Sequence, residues 1–138
     1  MTCRGIRLTR LLLITLLVLS SATAYAEWVL VAKDKAVSGM TTYVELDTIL
    51  REGERVKMWA LFDYKTVQTK MGALFLSKRG QRQFDCIDKR TRLLSVTWFL
   101  GNMGTGDISW RKDGKHKWQP VPPGSGFQHL WTFACGKQ

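Results

Sequence analysis

Apolar positions recur along this chain in three rhythms, and each predicts a different element. Residues 11–19 are an apolar run broken only by Thr15. From Glu27 to Lys112 the rhythm is period two or a short apolar block, the mark of strands whose side chains alternate between faces. After Gly124 it lengthens. Phe127, Leu130, Trp131 and Ala134 fall at i, i+3, i+4 and i+7, which predicts an amphipathic helix starting near Ser125.

Strands are expected over residues 27–33, 40–46, 54–66, 74–88, 89–100 and 106–112. Residues 54–66 set Val56, Met58, Ala60, Phe62 and Tyr64 against Lys57, Trp59, Leu61, Asp63 and Lys65. Apolar weight on both faces places that strand near the sheet centre. Residues 74–88 are expected to bend or bulge around Gly80. Leu94, Val96, Trp98 and Leu100 share one face of the next strand. Asp47 is expected to cap a single helical turn that Gly53 stops. Residues 102–105 make a glycine-marked turn, and Asp113-Gly114 is a hairpin-type turn signal. Pro120, Pro122 and Pro123 then end sheet pairing, because proline cannot donate to a ladder. The expected fold class is α+β: a single antiparallel β-sheet of about six strands with a C-terminal α-helix packed on one face.

The early apolar run changes the compartment. Arg4, Arg7 and Arg10 precede it, and Ala24-Tyr25-Ala26 follows as a small-x-small cleavage site. The run is shorter than the about 20 residues a membrane-spanning helix needs. Residues 1–26 therefore read as a secretory signal peptide cleaved after Ala26, leaving one domain over residues 27–138. The expected localisation is extracytoplasmic, in the periplasm, at the cell surface or secreted, with no transmembrane span in the mature chain.

Charge then narrows the partners. The leader holds three of the 21 basic residues and none of the 11 acidic ones, so the mature part carries 18 against 11, a net of +7. Lys78, Arg79 and Arg82 cluster, as do Lys89, Arg90 and Arg92. The densest group is Arg111, Lys112, Lys115 and Lys117, flanked by Trp110 and Trp118. These six are the candidate ligand contacts. They suit a protein or an anionic glycan or lipid head group in the envelope or outside the cell. The bland alternative is a solubilising basic hairpin. Nucleic acid would need the same charge, but an exported chain does not meet it. Trp28, Trp59, Trp98 and Trp131 occupy apolar strand or helix positions and are expected in the core.

Cysteine use agrees with export. Of three cysteines, Cys3 leaves with the leader, and Cys86 and Cys135 remain as an even pair with one intramolecular connectivity. A structural disulfide is the leading reading. A metal site would want more ligands nearby, and a redox pair would want Cys-x-x-Cys spacing. His116 and His129 lack a carboxylate or nucleophile at motif spacing and read as surface residues. No hydrolase, metalloprotease, P-loop or dinucleotide motif occurs, so no catalytic residue, metal or cofactor is expected.

Further residues carry a resemblance. They include Trp28-Val29, Thr42-Tyr43-Val44, Asp47-Thr48-Ile49, Val56-Lys57-Met58-Trp59, Asp63-Tyr64-Lys65 and Phe84-Asp85-Cys86. Arg90-Thr91-Arg92-Leu93-Leu94-Ser95, Met103-Gly104-Thr105-Gly106, Leu130-Trp131 and Ala134-Cys135 continue it, with the run from Trp118 through Gln119-Pro120-Val121-Pro122-Pro123-Gly124 to Ser125. Together they resemble the surface-adhesin protein E family of bacterial envelope proteins. The resemblance implies a six-stranded antiparallel sheet with its C-terminal helix tied to one face by a disulfide. It also implies a non-enzymatic exported protein that binds extracellular-matrix ligands. The founding member is a lipoprotein, and no lipid-attachment cysteine follows the apolar run here. The alternative function is therefore a periplasmic structural or assembly factor of the cell envelope.

Overall fold

The computed structural model describes residues 27–136, so the leader and its cleavage site after Ala26 lie outside the described residues. Among the described residues, eight strands form one antiparallel sheet, and one α-helix follows them. Six strands make the main path, in the order β1 (Trp28–Lys33), β2 (Thr41–Glu45), β4 (Arg55–Lys70), β5 (Ala73–Asp85), β6 (Arg90–Phe99) and β7 (Ile108–Asp113). Two short strands lie off it: β3 (Leu50–Glu52) pairs with β4, and β8 (Gln119–Pro120) pairs with β6. The α+β class holds, with two short strands beyond the six expected. No helix among the described residues is long and apolar enough to cross a membrane.

Besides Pro120, which pairs with Arg90 in β8 instead of ending the sheet, two local expectations need correction. Residues 47–53 do not form a helical turn capped by Asp47. A three-residue 3-10 turn covers Leu46–Thr48, its N-cap is Glu45, and no side chain caps it. Leu50, Arg51 and Glu52 then pair with Lys57, Val56 and Arg55, so Gly53, at φ 61°, turns a hairpin instead of ending a helix. The second correction concerns Asp113-Gly114. Beyond β7 the Gly114 N–H donates to Leu94 O, and the His116 N–H to Leu93 O. Residues 108–120 therefore run on along the β6 edge, and Gly114 is a kink rather than a hairpin tip.

Helix α1 (Gly126–Cys135) begins where the apolar period changes. Ser125 caps it, its Oγ accepting from the Gln128 N–H at 3.3 Å, and Gly136 ends it in the left-handed conformation. Leu130, Trp131, Ala134 and Cys135 are buried against Val44, Val56, Met58 and Phe84 of the sheet. Their spacing puts all four on one helix face, and even-numbered residues of β4 supply the facing surface. Cys135 bonds to Cys86, one residue past the end of β5, with Cα atoms 5.5 Å apart. The helix is thus tied to the end of a central strand.

A polar knot lies beside that bond. The Trp131 indole N–H donates to Asp85 O at 2.9 Å. The Asp85 carboxylate accepts from the Ile87 and Asp88 N–H groups, both at 3.0 Å, and pairs with Arg90 at 3.1 Å. Those donors, the Asp88 N–H first, hold its pKa below the ordinary value despite burial. A depressed carboxyl contributes stability that is present above its unfolded pKa of about 3.9 and lost as pH falls through the folded value. Asp85→Asn should therefore cost about 1 kcal/mol at pH 7, since the amide still accepts from the backbone but loses the charge facing Arg90. In urea unfolding, the gap between parent and variant should close below about pH 4. Equal stability of the two at pH 7 would contradict the assignment.

Candidate functional site

The sequence-predicted contacts sit on or beside the β6 edge, but strand alternation divides them. Trp98 of β6 faces Trp110 of β7, and Val96 faces Lys112. Trp110 and Lys112 thus lie on the helix side of the sheet, where they border a groove with His116. Arg111 has the opposite phase; it is exposed and paired with the equally exposed Asp113 at 3.2 Å. Lys115 and Lys117 are exposed along the kinked segment. Lys112, Lys115 and Lys117 make no ion pair among the described residues. Trp118 parts from the others, with Arg92, Arg55 and Arg90 guanidinium carbons 4.4, 5.1 and 5.4 Å from its ring.

The groove has a volume of about 570 Å³. Its floor is low where Gly80 pairs with Val96, because Gly80 presents no side chain. A Cβ on Gly80 would meet Ser95 O at 3.2 Å, so any side chain there would need the adjacent strand to shift slightly. Phe127, from the first turn of α1, forms one wall with Phe62 of β4. Rings from four strands run beside it: Tyr64–Phe75 at 5.6 Å, Phe75–Trp98 at 4.6 Å and Trp98–Trp110 at 4.5 Å. Met71 overhangs from the β4–β5 turn, where it and Gly72 have φ of 50° and 75°. Positive φ at both central residues suits a two-residue hairpin of type I′.

Two cations reach into this apolar space. Lys78 pairs with Phe62 in register, and its Nζ lies 5.4–5.5 Å from the rings of Phe62, Tyr64 and Phe75. Burial, with the positive charges of Lys70 and Arg82, lowers the Lys78 pKa to about 8. The Arg82 guanidinium sits 4.1 Å over the Phe127 ring and donates to Thr91 Oγ1 at 3.2 Å. Burial lowers it to about 10, and burial raises the Tyr64 phenol to about 12. No Asp or Glu lines the groove among the described residues.

The face away from the helix carries a second cation–aromatic array. Arg79 pairs with Glu45 at 2.9 Å and lies 4.2 Å over Trp59 and 5.9 Å from Trp28. Trp28 and Trp59 are therefore half-buried surface rings, whereas Trp98 and Trp131 are core. On this same face the turn after β6 folds back over Leu61. Ser77 Oγ donates to Gly101 O at 2.6 Å and accepts from the Gly104 N–H at 2.9 Å. Gly101 is needed for close approach, as a Cβ there would lie 2.5 Å from Thr105 Oγ1.

His129 is exposed on α1, and His116 is half-buried at the groove's edge. No group of three or more potential metal ligands occurs among the described residues. Geometry thus defines a disulfide-stapled sheet domain with cation-rich faces. A family model for surface-adhesin protein E matches residues 28–136, and the chain belongs to that family.

Solved structures of similar fold agree. Haemophilus influenzae protein E in crystal form II aligns with a TM-score of 0.57 at 14% identity, over 78% of this chain and 87% of that one. Its selenomethionine form gives 0.58 at 13% identity, over 83% and 89%. Protein E from non-typeable H. influenzae gives 0.51 at 14% identity, over 83% and 79%. No curated protein sequence matches significantly.

Proposed function

We propose that this is an exported, non-enzymatic adhesin-type protein that binds anionic or extracellular-matrix ligands through its basic surface. The family match over residues 28–136 is the observation that carries this reading. Residues 1–26 act as the signal peptide, with cleavage after Ala26, and the mature domain works outside the cytoplasm. Contact falls to Arg111, Lys112, Lys115 and Lys117 on the outer edge that β7 and the segment after it present, with Trp110 and Trp118 beside them. Lysines on an edge strand also discourage sheet-to-sheet pairing. Charge recognition and that protective role predict different results.

The test is retention of the purified exported protein on sulfated glycans and matrix proteins across a salt series. Binding should weaken steeply with salt, since exposed charges are screened beyond about 10 Å at 0.1 M. Reversing the four cations to Glu should weaken it at least tenfold. Binding indifferent to salt and to that reversal refutes the electrostatic contact. Protease shaving of intact cells supplies the second arm: a protected domain would instead mark a periplasmic structural or assembly factor.

A further inference from the structure

We propose that the helix-face groove binds a free anionic amphiphile, a single apolar chain ending in a carboxylate or phosphate, with Lys78 and Arg82 holding the head group. This site shares Trp110 and Lys112 with the edge surface proposed for adhesion, but Lys78 and Arg82 belong to it alone, and it stands without that reading. Three observations converge. The space, about 570 Å³, falls within the range of roughly 300–1,000 Å³ typical of small-molecule sites. Its walls are aromatic and aliphatic, and two methionines, Met40 and Met71, border it. Thioether side chains adapt readily to irregular apolar ligands.

Charge supplies the third and decides the head group. The half-buried Lys78 and Arg82 line the groove with the exposed Lys70 and Lys112, His116 and Tyr64, and among the described residues no carboxylate lines it. Placing like charges together in a poorly solvated space is unfavourable unless an opposite charge joins them. Ring faces offset only part of that cost, since a cation–π contact contributes about 0.5–2 kcal/mol. A neutral or cationic ligand would leave the imbalance standing. An anion would remove it.

A lysine held only for packing would snorkel its ammonium to water and leave ligand charge immaterial. The experiment separates these cases with ligands sharing one tail. Dodecyl phosphate and dodecanoate, below their micellar concentrations, are titrated into the purified exported protein. Trp98 and Trp110 emission reports contact, and calorimetry reports affinity. Dodecyl maltoside, dodecyltrimethylammonium and inorganic phosphate alone are the controls, and phosphatidylglycerol vesicles form a further arm.

Both anionic amphiphiles should bind saturably, at least tenfold more tightly than every control, and Lys78→Met and Arg82→Met should each lose at least tenfold. At pH 9 the wild-type protein should take up a proton on binding, read from heats in buffers of different ionisation enthalpy, as the anion restores charge to Lys78. That measurement decides the matter if either variant fails to fold. Equal affinity for the maltoside makes the groove merely apolar and overturns the proposal. So do equal affinity for inorganic phosphate, binding to vesicles without binding to monomers, and no saturable binding at all.

Discussion

Cys135→Ser is expected to lower the unfolding free energy by about 4 kcal/mol and the midpoint temperature by roughly 15 °C. The bridge spans a sequence separation of 49 residues, and closing a loop of that length removes most of this energy from the unfolded chain. Without it, the ten residues of α1 must stay docked on their own, and an isolated helix of that length is marginal in water. Burial of Leu130, Trp131 and Ala134 opposes release, as does the bond from the Trp131 indole to Asp85 O. The helix should therefore fray from the sheet before the strands separate. Tryptophan emission should shift to the red ahead of the loss of β-sheet circular dichroism. Cys86→Ser and the double variant should behave like Cys135→Ser, because all three delete one bond. A midpoint within a few degrees of the parent would show that the staple carries little energy.

Much of this architecture was legible because its rhythms are unambiguous. Val56, Met58, Ala60, Phe62 and Tyr64 announce a central strand, and β4 lies between β2 and β5. The change of period after Gly124 places the helix within a residue of its Ser125 cap. Glycines were harder, because the same residue serves several turns. Gly53 suits a helix stop as well as a hairpin, and only the pairing of Glu52 with Arg55 decides between them. Gly114 likewise looks like a hairpin tip until His116 bonds to Leu93 and the chain keeps its direction.

The candidate sites were legible only as charge. Period two already separates Lys78 and Arg82 from Arg79, placing two cations on one face and one on the other. It does not say which face the helix covers. That depends on where α1 ends up, and so does the fate of Trp59, a half-buried ring beneath Arg79. The groove was invisible for a stronger reason. Its floor requires Gly80 and Val96 to align across β5 and β6, and one wall comes from Phe127, far away in sequence. Register and helix docking are long-range outcomes that no local pattern encodes.

Lys78→Met is expected to make the protein more stable at pH 7 while removing the groove's central charge. Its buried ammonium releases a proton at about 8 in the folded chain, whereas an unfolded lysine holds its proton to about 10.4. Between those values the unfolded state binds more protons, so parental stability must rise with pH, by at most about 1.4 kcal/mol per unit. Solvent reaches this half-buried side chain and reduces the effect, leaving an expected gain of about 2 kcal/mol from pH 8 to 10. Tyr64 then acts in the other direction. Its folded pKa, pushed up to about 12, gives stability that is complete below its unfolded value of about 10 and lost as pH rises through 12. Arg82, held down to about 10 by burial, adds stability over that same range and opposes Tyr64. Parental stability should thus rise from pH 8 to about 10 and then level off, and the Lys78→Met variant should lack that rise. Urea unfolding of both proteins from pH 7 to 11 measures the difference, which should shrink steadily as Lys78 loses its proton. Parallel curves would mean that the lysine is already solvated or neutralised, and that the groove holds no uncompensated charge. A variant both sturdier and unable to bind dodecyl phosphate would show a residue kept for its ligand at the expense of the fold.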